Sequence, residues 1–197
     1  MKAVMLSLRP EWCQKIISGE KTVELRKSFP TADKVKTPFK CFIYCTRSRN
    51  VALWRYQGEY YCDTQFPNER PNKANGKVIG EFICDALYWA VSHPKAFAGH
   101  SCFHRAAIES ACMTMAQAEN YSKGKNVYGW HISELEIYDT PKDLSEFLKP
   151  CIHGEKDISC FLCEKSGYDS TMHITCFNRC QKPPQSWYYV EELKDEP

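Results

Sequence analysis

Gly19-Glu20-Lys21-Thr22-Val23-Glu24-Leu25-Arg26 is a turn glycine followed by a strand in which apolar and polar residues alternate. Successive strand side chains point to opposite faces, so Val23 and Leu25 share one face and Thr22, Glu24 and Arg26 the other. The residues just upstream set the context. Pro10 is pre-organised for the first position of a helix, and Trp12, Cys13, Ile16 and Ile17 give that helix an apolar stripe. Ser18-Gly19 ends it, because glycine enters the left-handed closing conformation without steric cost. Before the helix, residues 3–8 (AVMLSL) read as a short strand. The first twenty-six residues are therefore expected to form a strand, helix, turn, strand unit.

Further strands are expected at 40–45 (KCFIYC), 77–85 (KVIGEFICD), 128–138 (YGWHISELEIY) and 186–191 (SWYYVE), from their β-branched and aromatic content. Ile108, Ala111, Cys112 and Met115 predict one helix over 106–118, and Thr140-Pro141 predicts a short one ending at Leu148. Residues 46–76, rich in Asn, Pro, Gln and Arg, read as a long surface loop. Short strands with few helices and no βαβ repeat predict an α+β fold built on a small mixed β-barrel with flanking helices. No glycine-rich phosphate loop of standard spacing occurs.

The chain has 197 residues, 43% apolar and 25% charged, with a net charge of +2, an ordinary globular composition. The charge is uneven: residues 1–50 hold eleven Lys or Arg against four Asp or Glu, and the remainder runs to an excess of five acids. A basic surface around one site, attracting an anionic ligand such as RNA, and a merely solvated charged face are both open at this point. No apolar run approaches the roughly 18 residues of a spanning helix, and no leader pattern is visible, so a cytoplasmic protein without membrane partners is expected.

Seven of the twelve cysteines are scattered through residues 1–150 and read as small buried hydrophobes in a reducing compartment. The other five cluster. Cys160-x-x-Cys163 and Cys176-x-x-x-Cys180 are two chelating pairs separated by twelve residues, the pattern of a tetrahedral structural Zn²⁺ site. Cys151, His153 and His173 are alternative ligands, and reduced or disulfide-bonded cysteines are the plainer reading. Four thiolates leave no open coordination position, so this metal would stabilise residues 151–180 rather than hydrolyse anything.

Gly19, Lys21, Glu24 and Arg26 occupy every fixed position of the G-x-K-x-x-E-x-R motif, and in this the chain resembles the ASCH domain, a relative of the PUA domain. Gly80-Glu81-Phe82, Tyr128-Gly129-Trp130-His131-Ile132 and Pro184-Gln185-Ser186-Trp187 extend the resemblance, the last being similar to the ending of ASCH proteins of phages and their hosts. It covers residues 1–150 and 181–193, with the cysteine-rich insert at 151–180 between them. The resemblance implies a PUA-like barrel with a cleft, lined by the Lys-Glu-Arg strand, that receives RNA or a modified nucleoside.

On that reading Lys21 and Arg26 hold a phosphate or polarised carbonyl, Glu24 holds a base edge or acts as general base, and Ser7, Arg9, Tyr44, Trp130 and Ser186 complete the ligand site. A charged ladder on the strand surface, Glu24 pairing with its basic neighbours, is the bland alternative. An enzymatic branch of the family, the N4-acetylcytidine amidohydrolases, uses a Lys, a Thr and a Glu. Lys21 matches the lysine, Glu24 stands where that threonine falls, Thr22 is one residue beyond Lys21, and Glu81 is a candidate for the glutamate. Other members are ribonucleases. Trp12, Tyr44, Trp130 and Trp187 are candidates for base stacking. Trp54, Tyr56, Tyr60 and Tyr61 with Arg47, Arg49 and Arg55 could form an RNA-contacting flap or simply fold over the barrel. The insert is a candidate surface for a protein partner.

Overall fold

β1 (Lys2–Leu8) leads directly into α1 (Pro10–Ile17), with Pro10 at the first helical position and Cys13 and Ile16 turned inward. Gly19 follows in the left-handed region at φ +76°, and β2 (Val23–Arg26) starts after one more turn. The strand–helix–turn–strand unit expected from the sequence is thus present. The computed structural model describes residues 2–32, 34–65, 68–93, 101–150 and 179–191.

β3 (Phe39–Cys45) lies beside β1 in parallel, and the two form the middle of a five-stranded sheet with β6 (Lys77–Cys84), β10 (Ser133–Asp143) and β11 (Trp187–Glu191). Its order is β10-β6-β3-β1-β11, antiparallel except for the β1–β3 pair. β2 belongs to a second sheet, β2-β9-β7-β8, with β7 (Leu87–Ser92), β8 (Cys102–Phe103) and β9 (Val127–His131). Side chains alternate across the five-stranded sheet. Val4, Leu6, Leu8, Cys41, Ile43 and Phe82 join a cluster with α1 and Trp130, whereas Ala3, Met5, Phe42 and Tyr44 join another with Leu144, Phe147 and Val190. A third cluster buries the outer face of the four-stranded sheet under two helices, α2 (Arg105–Ser110) and α3 (Met115–Ser122). No helix among the described residues is long and apolar enough to cross a membrane.

Five expectations are corrected. Residues 46–76 are not loop throughout. They hold a hairpin of β4 (Ala52–Tyr56) and β5 (Glu59–Asp63), which sinks Leu53, Tyr60 and Ala74 into the core cluster of α1. The single helix of 106–118 is two, broken at Cys112 (φ +56°), after which Thr114 and Gln117 form a reciprocal capping box that starts α3. The strand of 128–138 is likewise two: the Ile132 amide donates to Thr22 O in the second sheet, and from Ser133 the chain pairs with β6 in the first. β10 runs on through Thr140-Pro141 to Asp143, leaving only a single 3-10 turn at Leu144–Glu146 where a helix was expected.

The barrel, finally, is not closed by backbone pairing among the described residues. β9 and β10 join the sheets at one corner, and the gap between edge strands β2 and β11 is bridged by side chains instead. Arg26 Nη1 donates to Ser186 O at 3.1 Å, Trp187 Nε1 donates to Ser28 Oγ, and the Thr31 amide donates to the Tyr189 hydroxyl.

Candidate functional site

Glu24 pairs with Trp130 across the β2–β9 ladder and Arg26 pairs with Tyr128, so both charged side chains point between the two sheets, not to water. Val23 and Leu25 point the other way, into the helical cluster. Both faces of β2 are therefore covered, and the alternation separates two interiors. Lys21, Glu24 and Arg26 are 3%, 6% and 6% exposed.

The three side chains form one network. Lys21 Nζ donates to Val23 O at 2.9 Å and Ala111 O at 3.0 Å and forms an ion pair with Glu24 Oε2 at 3.1 Å. It also sits 5.1 Å from the centre of the Trp12 ring. Glu24 Oε1 is 3.0 Å from Arg26 Nε, an ion pair without a well-directed hydrogen bond. Arg26 reaches on to Ser186 O and Oγ through Nη1 and to Ser7 O through Nη2 at 2.8 Å. Glu24 thus stands between the two cations and pairs with both, buried between the sheets and not on the strand surface. The buried group carries one net positive charge. Removing three charges from water costs several kcal/mol per ion before their mutual attraction is counted. Close pairing and backbone carbonyls offset that cost.

β2 is an edge strand. Because the Thr22 carbonyl faces β9, alternation directs the carbonyls and amides of Val23 and Leu25 to the open side. Lys21 Nζ takes the Val23 carbonyl, and the Tyr121 hydroxyl reaches the Leu25 carbonyl at 3.4 Å. Over this edge lies a cleft of about 480 Å³ between α1 and α3, lined by Trp12, Lys27, Met113, Gln117, Asn120, Tyr121 and Lys123. Its size is within the range of small-molecule sites. Lys27 Nζ stands 5.0 Å from the Tyr121 ring centre, and burial pushes the Tyr121 phenol up. A larger cleft of about 760 Å³, lined by Tyr44, Arg47, Asp143 and Lys182 among others, lies on the far face of the five-stranded sheet. The smaller one is lined by Trp12, whose ring lies against Lys21 Nζ, and by Tyr121, which reaches the Leu25 carbonyl, and is the candidate site.

No family model matches the chain, and no curated protein matches it. Among solved structures it is similar to the ASCH protein of Zymomonas mobilis, with a TM-score of 0.50 at 17% identity, covering 96% of this chain and 88% of that one. A Tyr-to-Phe variant of the same protein matches at 0.50 and 18%, covering 98% and 92%. A Ser-to-Ala variant matches at 0.50 and 17%, covering 96% and 89%. The fold is an ASCH fold.

Within the ASCH fold the remaining predicted residues scatter. Ser186 is in the network, half-buried. Ser7 contributes its carbonyl; its side chain follows Ala3 and Met5 onto the opposite face, and among the described residues its hydroxyl finds no partner. Its register partner Tyr44 lies on that far face too, buried, which pushes its phenol up. Glu81 is opposite Phe42 on the same far face, bonded to Lys40 and Tyr138, and does not meet Lys21. Arg9 is exposed ahead of α1, and Thr22 is exposed beside the triad. Trp130 is fully buried, ringed by Phe39 at 5.5 Å and Trp187 at 5.9 Å, and has no ring face to offer a base. Cys180 is buried in the second cluster, where desolvation pushes its thiol up; Cys160, Cys163 and Cys176 lie outside the described residues, as do Cys151, His153 and His173.

The sequence reading missed Tyr121, Gln117, Asn120 and Lys123. Stopping the helix at 118 hid most of them. The Thr114-x-x-Gln117 pattern was the available signal, since a capping box announces a new helix start.

Proposed function

We propose that the chain binds RNA or a modified nucleoside in the cleft between α1 and α3. The carrying observation is the buried Lys21–Glu24–Arg26 network, net positive, joined through Trp12 and Tyr121 to a cleft lined by those two rings and by the further cations Lys27 and Lys123. Buried charges are weak contributors to stability, because well-packed apolar residues often do as well in their place. A cleft built on them gains instead a fixed positive field for an anionic ligand, while Trp12 and Tyr121 offer faces for a base.

Fluorescence anisotropy with labelled RNA tests this. Lys21→Ala and Arg26→Ala are expected to weaken binding tenfold or more. Lys27→Ala and Lys123→Ala, exposed and harmless to the fold, are each expected to lower the salt slope by about 1 if they meet phosphates. Parent-like binding by all four variants rejects the cleft.

Binding is favoured over hydrolysis of an N4-acylated cytidine or of RNA through Lys21, Glu24 and Thr22. Lys21 is held by two backbone carbonyls and by Glu24, Thr22 faces outward and Glu81 is on the other side of a sheet. Mass spectrometry of acetylcytidine and RNA incubated with the parent is expected to show no product. Turnover that disappears in Lys21→Ala would replace the binding reading with the enzymatic one.

For the insert we propose a structural Zn²⁺ held by Cys160, Cys163, Cys176 and Cys180. The support is the spacing of the pairs and the lack of apolar residues enough for a core of their own. Elemental analysis is expected to give one zinc per chain, lost in Cys160→Ser. A zinc-free parent overturns it, and a Cys180→Ser variant that keeps its zinc passes the fourth position to Cys151, His153 or His173.

A further inference from the structure

We infer that the four-stranded sheet carries a stacking surface for single-stranded RNA, made of Phe29, Tyr128 and Trp89. This rests on the RNA reading of the adjoining cleft and extends it from one nucleotide to a strand. Trp89, Tyr128 and Arg26 are register partners across β7, β9 and β2, so all three side chains stand on one face in a row. The row passes from the buried guanidinium, through half-buried Tyr128, to Trp89, which is 56% exposed. Phe29, 40% exposed, closes on Tyr128 from the segment after β2.

Ring centres are 4.8 Å apart for Trp89 and Tyr128 and 4.6 Å for Phe29 and Tyr128, with the planes inclined at 55° and 72°. Phe29 meets Tyr128 edge to face and Trp89 is tilted against it, with more than half of the Trp89 surface left to solvent. An indole held outward on a central strand costs apolar exposure that the fold does nothing to relieve.

Charge selects the occupant. The segment carrying Phe29 also carries Lys27, Lys34 and Lys36, all exposed, and among the described residues none of them meets a carboxylate. The other exposed aromatic group, Trp54, Tyr56 and Tyr61 of the hairpin, differs on this point. The two cations seated on the hairpin's rings, Arg55 on Tyr60 and Arg70 on Trp54, pair with Asp139 and Asp63. Of the three lysines, Lys27 rests on the Tyr121 ring and Lys34 on that of Tyr189. Exposed cations without a carboxylate, on the segment that carries Phe29, match a polyanion whose bases are unpaired, whereas double-stranded RNA would keep its bases from the rings.

The test uses the full chain, a labelled single-stranded RNA octamer of mixed sequence, and cytidine monophosphate. Trp89→Ala is expected to weaken octamer binding at least about fivefold, the lower end for loss of one stacked base, and to leave the mononucleotide affinity unchanged. Trp89→Phe is expected to restore most of the loss, and the octamer to quench parent tryptophan fluorescence more than that of Trp89→Ala. Equal octamer affinity in parent and Trp89→Ala overturns the stacking surface. So does a parent that binds the mononucleotide but gains nothing from the octamer, which leaves the cleft reading standing. A parent that binds neither overturns the cleft reading as well. A parent dimer that Trp89→Ala splits in sedimentation overturns the inference by assigning the rings to a second copy of this chain.

Discussion

Strand β2 and the β4–β5 hairpin are built from similar residues and use them in opposite ways. Each mixes cations, carboxylates and aromatics. In the hairpin Arg55 pairs with Asp139, whose carboxylate is fully in water, and stacks 5.7 Å from the Tyr60 ring centre; Arg70 pairs with Asp63 beside Trp54. In β2 the same kinds of group are shut between two sheets, with backbone carbonyls from Val23, Ala111, Ser7 and Ser186 drawn in to complete them. Ion pairs in water are worth about 0–1 kcal/mol, because each ion loses little by parting. Buried ones are sensitive to the loss of any member, since the survivors stay uncompensated in a poor dielectric. The hairpin's charges decorate a fold, whereas those of β2 hold its two sheets together and leave a positive field under the cleft.

The sharpest way to break this contrast is to remove the central carboxylate. Glu24→Gln is expected to cost about 3–5 kcal/mol in chemical denaturation, because it leaves Lys21 and Arg26 buried without a counter-charge. A cost no larger than that of an exposed pair would show that the network is hydrated in solution. Next comes Gly129→Ala. A methyl there would meet Val23 Cγ1 at 2.8 Å, and valine has little freedom to yield, so β2 must shift away from β9. The expected cost is about 1–3 kcal/mol, with weaker RNA binding alongside, because Glu24 and Arg26 move with the strand. Unchanged stability and binding would mean that the β2–β9 register matters less than proposed. The smallest effect is expected from Arg55→Ala, under about 1 kcal/mol by the same denaturation measurement and with RNA affinity unaltered. A larger loss of affinity would move the hairpin from decoration to ligand contact.

Much of what could be read locally was read correctly. Pro10 and the Trp12-Cys13-Ile16-Ile17 stripe predicted α1, and β1, β3, β6 and β11 lie within a residue or so of the expected runs. Two of the errors share a cause, which is continuity of propensity. Tyr128 to Tyr138 has uninterrupted strand character, yet the chain changes sheets at Ile132 because its amide is claimed by Thr22, 110 positions upstream in a different layer. The 106–118 helix ran together for the same reason, since an apolar stripe passes over Cys112 without a glycine or proline to mark the break. For the site, the motif located Lys21, Glu24 and Arg26, but Ser7, Tyr44 and Glu81 went to faces that depend on register, and a one-residue difference in a strand reverses a side chain.

The sequence by itself determined the order of elements at the N-terminus, the charged strand and the cysteine pairs, because periodicity, glycine and proline act within a few residues. Only the tertiary structure decided that the charged strand has no wet face. That outcome needs Trp130 and the five-stranded sheet on one side, α2 and α3 on the other, and carbonyls 90 and 160 positions along the chain from the lysine and arginine that hold them. Burial is a property of what surrounds a residue, and no alternation of apolar and polar letters carries it.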